Sequence, residues 1–437
     1  MHKSKRRAKS PSPEQALFCP WLNSLPNKTF AGVEQKLHHE IEAYMKYLQP
    51  DSHETATRAQ AFQRVKDCVK SLFNQSAINT FGSSATGLSS PTGDIDIVIS
   101  TPYELKPHVR KKLLFDISQR LRYHNIANEV LVNHWARIPI VTFTTVPELG
   151  SFSVDIGINN NDGLSAVKVV KYYLDTMPAL KPLVLVVKGL LSRHGLNDAS
   201  KGGLGSYGII WMCVSLLQRN PGGQPDSYFT HPSDTESLGY LVVDFMKHYG
   251  LEFDFTEDFI SVSSGQILKK SQGGDWINKK TLDHICIQDP CQPENDVGRP
   301  ASKTRAIIAA FEGAYRSLTE AASVTDESLL ARLLGSPWKG VSFPRLPVAI
   351  SVTASTLSGH GTSGSTPTGC YCTGPGLVTN GLSSRTTKSQ QGAQKRQIWR
   401  QKEIRRFKQW SYRAGICQYA KRAVWRQGKP LGCWATV

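Results

Sequence analysis

The sequence predicts an α+β chain: a small mixed sheet with flanking helices, a helical domain, and a disordered basic C-terminal tail. Three observations carry that reading. Strand-like alternation of apolar and polar residues is concentrated in residues 76–160. Apolar residues at helical spacing precede and follow that block. The net charge of +17 at pH 7 sits at the ends: residues 1–9 carry five Lys/Arg and no acid, and residues 385–437 carry fourteen Lys/Arg against Glu403. The ends therefore hold +5 and +13, which leaves −1 for residues 10–384. Cationic tails on a nearly neutral body attract polyanions without needing a fold of their own, and nucleic acid is the obvious partner. Lys3, Lys5, Arg6, Arg7 and Lys9 equally suit a nuclear-import signal.

Along the chain, residues 1–32 read as a basic tail and a proline-broken linker, with Pro11, Pro13, Pro20 and Pro26. Residues 33–75 hold two helices. Leu37, Ile41, Tyr44, Met45 and Leu48 mark the first, which Pro50 stops. Ala61, Val65, Cys68, Val69 and Leu72 mark the second, with Ser52 or Thr55 as its cap. Both helices are expected to pack on the helical domain. Residues 76–160 contain a strand at 76–81, a second at 94–100, a helix to about Tyr123, and strands at 127–132, 138–144 and 151–158. Residues 161–320 read as helical, with apolar stripes through Leu174, Leu183 and Leu190, through Ile209 and Met212, and over 237–249 and 302–319. Residues 321–437 read as mostly disordered. The stretch 351–394 is dominated by Ser, Thr and Gly and offers too little apolar surface to offset its ordering entropy. Beyond it, KRQIWRQKEIRRFKQWSYR interleaves aromatics with cations, a composition suited to single-stranded nucleic acid.

The chemistry centres on residues 81–100, FGSSATGLSSPTGDIDIVIS. In a strand, residues i and i+2 share a face, so Asp94 and Asp96 project together while Ile95, Ile97 and Ile99 face a core. Two carboxylates on one rigid strand suit Mg²⁺, with Mn²⁺ as a possible substitute; Mg²⁺ keeps waters and accepts substrate phosphate oxygens as further ligands. Gly82 and Ser83 sit upstream in a turn of small residues, where backbone N–H groups can approach a phosphate. A lone D-x-D would be no more than a solvated strand end. Gly-Ser a dozen residues ahead of it resembles the signature of the DNA polymerase β-like nucleotidyltransferases. Asp155, in the alternating run SFSVDIGI, supplies a third acid on a strand, as a two-metal clamp requires.

Lys188 lies inside the apolar helix LKPLVLVVKGLLSRHG, where a lysine either snorkels or meets an anion. Ser206 and Tyr207 follow the glycines of KGGLGSYG at a helix start, a place that favours phosphate and lets a ring stack on a base. In the polar loop DPCQPENDVGR, Asn295 offers a donor and an acceptor to a base edge, and Arg299 can bridge or stack.

Together, FGSSATGLSSPTGDIDIVIS, VDIGINNNDG, LVLVVKGLLSRHGLND, GGLGSYG and DPCQPENDVGR resemble, in order, the noncanonical poly(A) polymerases of the Trf4 type. The resemblance covers about residues 33–320 and implies a polymerase β-like palm with a helical central domain. It implies that Asp94, Asp96 and Asp155 are catalytic and hold Mg²⁺. It implies that Gly82, Ser83 and Lys188 meet the triphosphate and that Gly163 lies against the nucleotide. Ser206 and Tyr207 would bind phosphate and base, and Asn295 and Arg299 would form the nucleotide-recognition loop. The implied activity is ATP-dependent, template-independent adenylation of RNA 3′ ends in the nucleus (nucleoplasm or nucleolus). The implied partners are a zinc-knuckle RNA-binding protein and an RNA helicase in a TRAMP-like complex.

Other classes are less favoured. No apolar run approaches the roughly 20 residues of a membrane span, and the basic N-terminus lacks the apolar stretch of a signal peptide. The nine dispersed cysteines read as reduced thiols, and Cys370, Cys372 and His360 lie in too loose a setting for a metal site. A terminal uridylyltransferase would share every catalytic part, but the NDVGR loop carries no histidine suited to reading UTP. A catalytically weak RNA-binding scaffold would not need three acids.

Overall fold

The palm sheet is mixed and five-stranded, in the order β1-β2-β5-β4-β3. Its strands are β1 Ala77–Thr80, β2 Ile95–Ser100, β3 Val130–Asn133, β4 Ile140–Thr144 and β5 Ser153–Ile158. In this computed structural model the described residues are 21, 25, 30–73, 75–90, 93–136, 138–159, 161–278, 281–320 and 328–335. The basic stretches 1–9 and 385–437, the Ser/Thr/Gly segment 351–394, and Cys370, Cys372 and His360 lie outside them. Strands β2 and β5 run parallel; the other neighbours in the sheet are antiparallel. Ile95, Ile97 and Ile99 are 3% exposed or less and form one core with Val154 and Ile156 of β5. Each such burial contributes about 1.5–3 kcal/mol. Val98 shares the aspartate side of β2 yet is fully buried, so the polar patch is confined to the start of the strand.

The helices before the sheet separate. Helix α1 (Val33–Leu48) puts Leu37, Ile41, Tyr44 and Leu48 into the core of the helical part. Helix α2 (Ser52–Lys70) puts Ala61, Val65, Cys68 and Val69 into the palm core, beside Leu114, Ile117 and Leu121 of α4 (Pro107–Tyr123). The expectation that both pack on the helical domain is corrected for α2. Two amphipathic stripes look alike in sequence, and only the break at Pro50 lets them face different cores. The cap of α2 is Asp51, not Ser52 or Thr55: its carboxylate accepts the Glu54 N–H at 2.7 Å, an arrangement worth about 1 kcal/mol.

The helical part comprises α5 (Asn161–Thr176), α6 (Leu180–Arg193), α7 (Ser206–Arg219), α8 (Ser227–Thr230), α9 (Leu238–Lys247) and α10 (Thr304–Thr319). Gly239 lets α9 approach α1: a Cβ there would lie 1.9 Å from the Glu34 carbonyl oxygen. Two features depart from the sequence reading. A small sheet, β7-β6-β8, is inserted between α9 and α10, from β6 Asp258–Ser261, β7 Gln266–Lys269 and β8 Ile287–Gln288. Strands of two to four residues give too few alternations to declare themselves. Helix α11 (Leu329–Leu334) forms at the start of the stretch read as mostly disordered. Buried Glu40 of α1 accepts the Leu329 and Leu330 N–H groups at 3.2 and 2.6 Å and the Ser328 hydroxyl at 2.8 Å, so a partner remote in sequence caps this helix. Among the described residues no helix is long and apolar enough to cross a membrane.

Candidate active site

Register places the acids. Asp96 of β2 lies opposite Asp155 of β5 in the parallel ladder, and Thr142 of β4 lies opposite Asp155 on its other side. Paired residues share a face, so the two carboxylates stand side by side. The Thr142 hydroxyl donates to Asp155 Oδ1 at 2.7 Å. Asp94 is exposed and immediately precedes β2. Burial, then Asp155 and Asp94, push the Asp96 carboxyl up to about 7. Burial also raises Asp155, with Asp94 adding to the rise and the Thr142 hydroxyl opposing it.

The chain around Gly82 and Ser83 is a short helix, α3 (Gly82–Thr86), where a turn was expected. Small residues allow either, and the Phe81 N–H donating to the Asp96 carbonyl at 3.0 Å fixes where α3 begins. The Ser83 backbone N–H donates to the Asp96 side chain. Gly82 has φ +60°, and a Cβ there would lie 2.3 Å from Asp96 Oδ2. Only glycine permits this approach. Lys188 reaches from α6 toward the acids. Burial lowers its pKa, and Asp94 and Asp96 pull it back up.

Beside the acids lies a cavity of about 930 Å³. Gly82, Ser83, Gly163, Lys188, Ser206, Tyr207 and Asn295 line it, so seven of the sequence-derived positions converge on one space. Arg299 does not: it is exposed, and its guanidinium donates to the Trp276 carbonyl at 2.8 Å. The far wall depends on Asp289, which the sequence reading passed over. Asp289 is 6% exposed and accepts from the Tyr207 hydroxyl at 3.0 Å, the Asn295 amide at 3.0 Å and the Cys291 N–H at 2.8 Å. Desolvation, then the Asp289 charge, raise the Tyr207 phenol far above its ordinary value. Nothing local in DPCQPEN marks it, since its Tyr207 partner lies 82 positions earlier.

The donor set fits divalent cations. Carboxylate oxygens are hard ligands, and the crowding that raises Asp96 is relieved by a nearby cation. Asp94, Asp96 and Asp155 would hold such ions.

A five-stranded sheet bearing these acids, packed against helices across a nucleotide-sized cavity, defines a nucleotidyltransferase polymerase core. Residues 37–175 match the family described as poly(A) RNA polymerase, mitochondrial-like, central palm domain, and residues 237–295 match the Cid1 family poly A polymerase. The chain is 30% identical over 328 residues to poly(A) RNA polymerase protein 1 of Eremothecium gossypii, covering 74% of this chain and 51% of that protein. It thus spans about half the length of this curated relative. The polymerase core of TRAMP, a RNA surveillance complex, is 27% identical with a TM-score of 0.64, covering 72% of this chain and 99% of that one. The Cid1 poly(U) polymerase has the same fold at 22% identity and a TM-score of 0.56, over 68% of this chain and 98% of that one. The chain thus carries stretches matching the palm and Cid1-type associated domains, and it is similar to noncanonical poly(A) polymerases of the Trf4 and Cid14 type.

Proposed function

We propose that the protein adds AMP from ATP to RNA 3′ ends without a template. The terminal 3′-hydroxyl attacks the α-phosphorus of ATP, the new phosphodiester forms, and pyrophosphate leaves. The observation that carries this reading is the Asp96–Asp155 pair beside a cavity walled by Tyr207 and Asn295. We read residues 76–160 as the palm and 161–320 as the central domain, with ATP bound between them. Mg²⁺, or Mn²⁺, bound by Asp94, Asp96 and Asp155 would neutralise developing phosphate charge and acidify the attacking hydroxyl. Ser83 offers its hydroxyl and the start of α7 at Ser206 its backbone N–H groups to phosphate, Lys188 adds a cation, and Gly163 leaves room for the nucleotide. Tyr207 offers a ring for stacking. Arg299 acts, in this reading, by tying the recognition loop to Trp276.

Asn295 bears on base choice. Asp289 accepts hydrogen bonds only, so it orients the Asn295 NH₂ toward itself and the amide oxygen away. An acceptor suits the exocyclic amine of adenine and opposes the O4 carbonyl of uracil. By likeness to the TRAMP core, we place the activity in nuclear RNA surveillance, with a zinc-knuckle protein and an RNA helicase as partners. A labelled oligoribonucleotide offered each NTP singly tests the reading. AMP should be incorporated in preference to UMP, and Asn295→Ala should narrow that preference about tenfold, the worth of one base-edge hydrogen bond. A wild-type preference for UTP, or no extension with any nucleotide, would reject adenylation.

The basic tail is read as an RNA handle. Truncation after Leu334 should raise the KM for RNA and leave kcat at saturating RNA nearly unchanged. The salt dependence of binding should flatten, its log–log slope falling by roughly 0.7 for each phosphate the tail had neutralised. Superimposable log–log plots for the full chain and the truncation would leave nuclear import as the tail's role.

A further inference from the structure

The palm-side lip of the cavity is built from α4 and the connection between β3 and β4. Arg110, Ala136, Ile138 and Pro139 line the cavity there. Ile138 is 49% exposed, and just outside these residues Trp135 is 85% exposed. A large indole open to water beside a catalytic cleft calls for a planar, amphipathic partner. Its surroundings are cationic. Lys106, Lys111 and Lys112 are exposed on and beside the first turns of α4, and the Lys111 Nζ lies 5.1 Å from the Trp135 ring centroid.

Orphaned polar atoms point the same way. The His134 ring sits between Phe115 and Trp135, with centroids at 5.7 and 4.4 Å. Both its nitrogens are buried without a hydrogen-bond partner, and so is Arg110 Nε. Arg110 also lines the cavity, so its guanidinium is the cation at this lip that faces the cleft. Phosphate oxygens answer Arg110 and the lysines. The His134 ring, its nitrogens buried, backs the Trp135 indole from the protein side. A base answers the face of Trp135.

We propose that Arg110, Lys111, His134 and Trp135 form a subsite for single-stranded RNA, holding nucleotides just upstream of the 3′ end as it enters the cleft. This rests on the adenylyltransferase reading for direction, but the binding itself does not require turnover. It gives the folded core a grip on RNA that is independent of the basic tail.

Crosslinking of full-length protein to oligoadenylate bearing one 5-iodouridine at successive positions tests the subsite locally. The expected adduct, mapped by mass spectrometry, is on Trp135 or His134, with the label a few nucleotides before the 3′ end. Trp135→Ala should raise the Kd for oligoadenylate about tenfold, the range of one base–aromatic stack, with ATP affinity unchanged. Lys111→Glu, a second exposed position, should weaken RNA binding and reduce its salt dependence. Both should melt like wild type, since neither side chain is buried. Unchanged RNA affinity in both variants, or adducts confined to other surfaces, would overturn the proposal and leave this patch to a protein partner. If the wild type forms the Trp135 adduct yet incorporates no nucleotide, the subsite stands and the transferase reading falls.

Discussion

Asp96→Asn is expected to abolish nucleotide addition while making the metal-free protein more resistant to heat. The loss should be about a thousandfold or more, ~4 kcal/mol of barrier, because a neutral amide cannot replace a carboxylate toward divalent cations. The gain has a different cause. Asp96 is half-buried beside two other acids, and its carboxyl is pushed up to about 7 from an ordinary value of 3.8. Between roughly pH 4 and pH 7 the unfolded chain therefore releases a proton that the folded chain keeps. The unfolded state binds fewer protons across that window, so stability falls as pH rises through it. The introduced amide would not titrate, yet its oxygen can still accept the Ser83 N–H. Thermal melts in chelator should show the variant ahead of wild type near pH 8, by on the order of 1 kcal/mol, with the gap closing near pH 4. Equal melting at both pH values would remove charge crowding as a property of the site. Near-wild-type extension by the variant would remove Asp96 from catalysis.

Asp289→Ala should damage the opposite wall. One buried carboxylate accepts from Tyr207, Asn295 and the Cys291 N–H. Its removal strands three donors, and the stability cost should be ~2–4 kcal/mol. Both Tyr207 and Asn295 line the cavity, so the Kd for ATP should rise at least about tenfold even where the protein remains folded. Asp289→Asn separates the effects. It keeps the volume and one acceptor oxygen, so most stability should return, while the competing NH₂ leaves Tyr207 or Asn295 misdirected. Calorimetric titration of ATP into folded Asp289→Asn decides the matter: wild-type affinity would mean that Asp289 serves the fold alone.

The acids were legible in sequence because strand alternation is local. Asp94, Asp96 and Asp155 each sit in runs whose isoleucines and valines announce a core face. The glycine that approaches Asp96 was legible for a similar reason, since few residues other than glycine tolerate such a backbone. That local grammar also delivered α1, α2, α4 and the long helices of the central part within a few residues. It stops where a residue's role depends on a partner far along the chain. Asp289 is unremarkable until Tyr207, 82 positions earlier, is found donating to it. Glu40 is an ordinary helix acid until it caps α11 nearly three hundred positions later.

Which core receives α2, whether Arg299 enters the cavity, and the register that sets Asp96 opposite Asp155 are likewise tertiary decisions. Side-chain periodicity specifies a face, but contact between faces is chosen by competition among all the buried surfaces at once. The residue pattern by itself therefore determined which acids, cations and glycines the candidate site can offer. Only the packed structure decided which groups stand within a hydrogen bond of one another, because that distance belongs to no single stretch of chain.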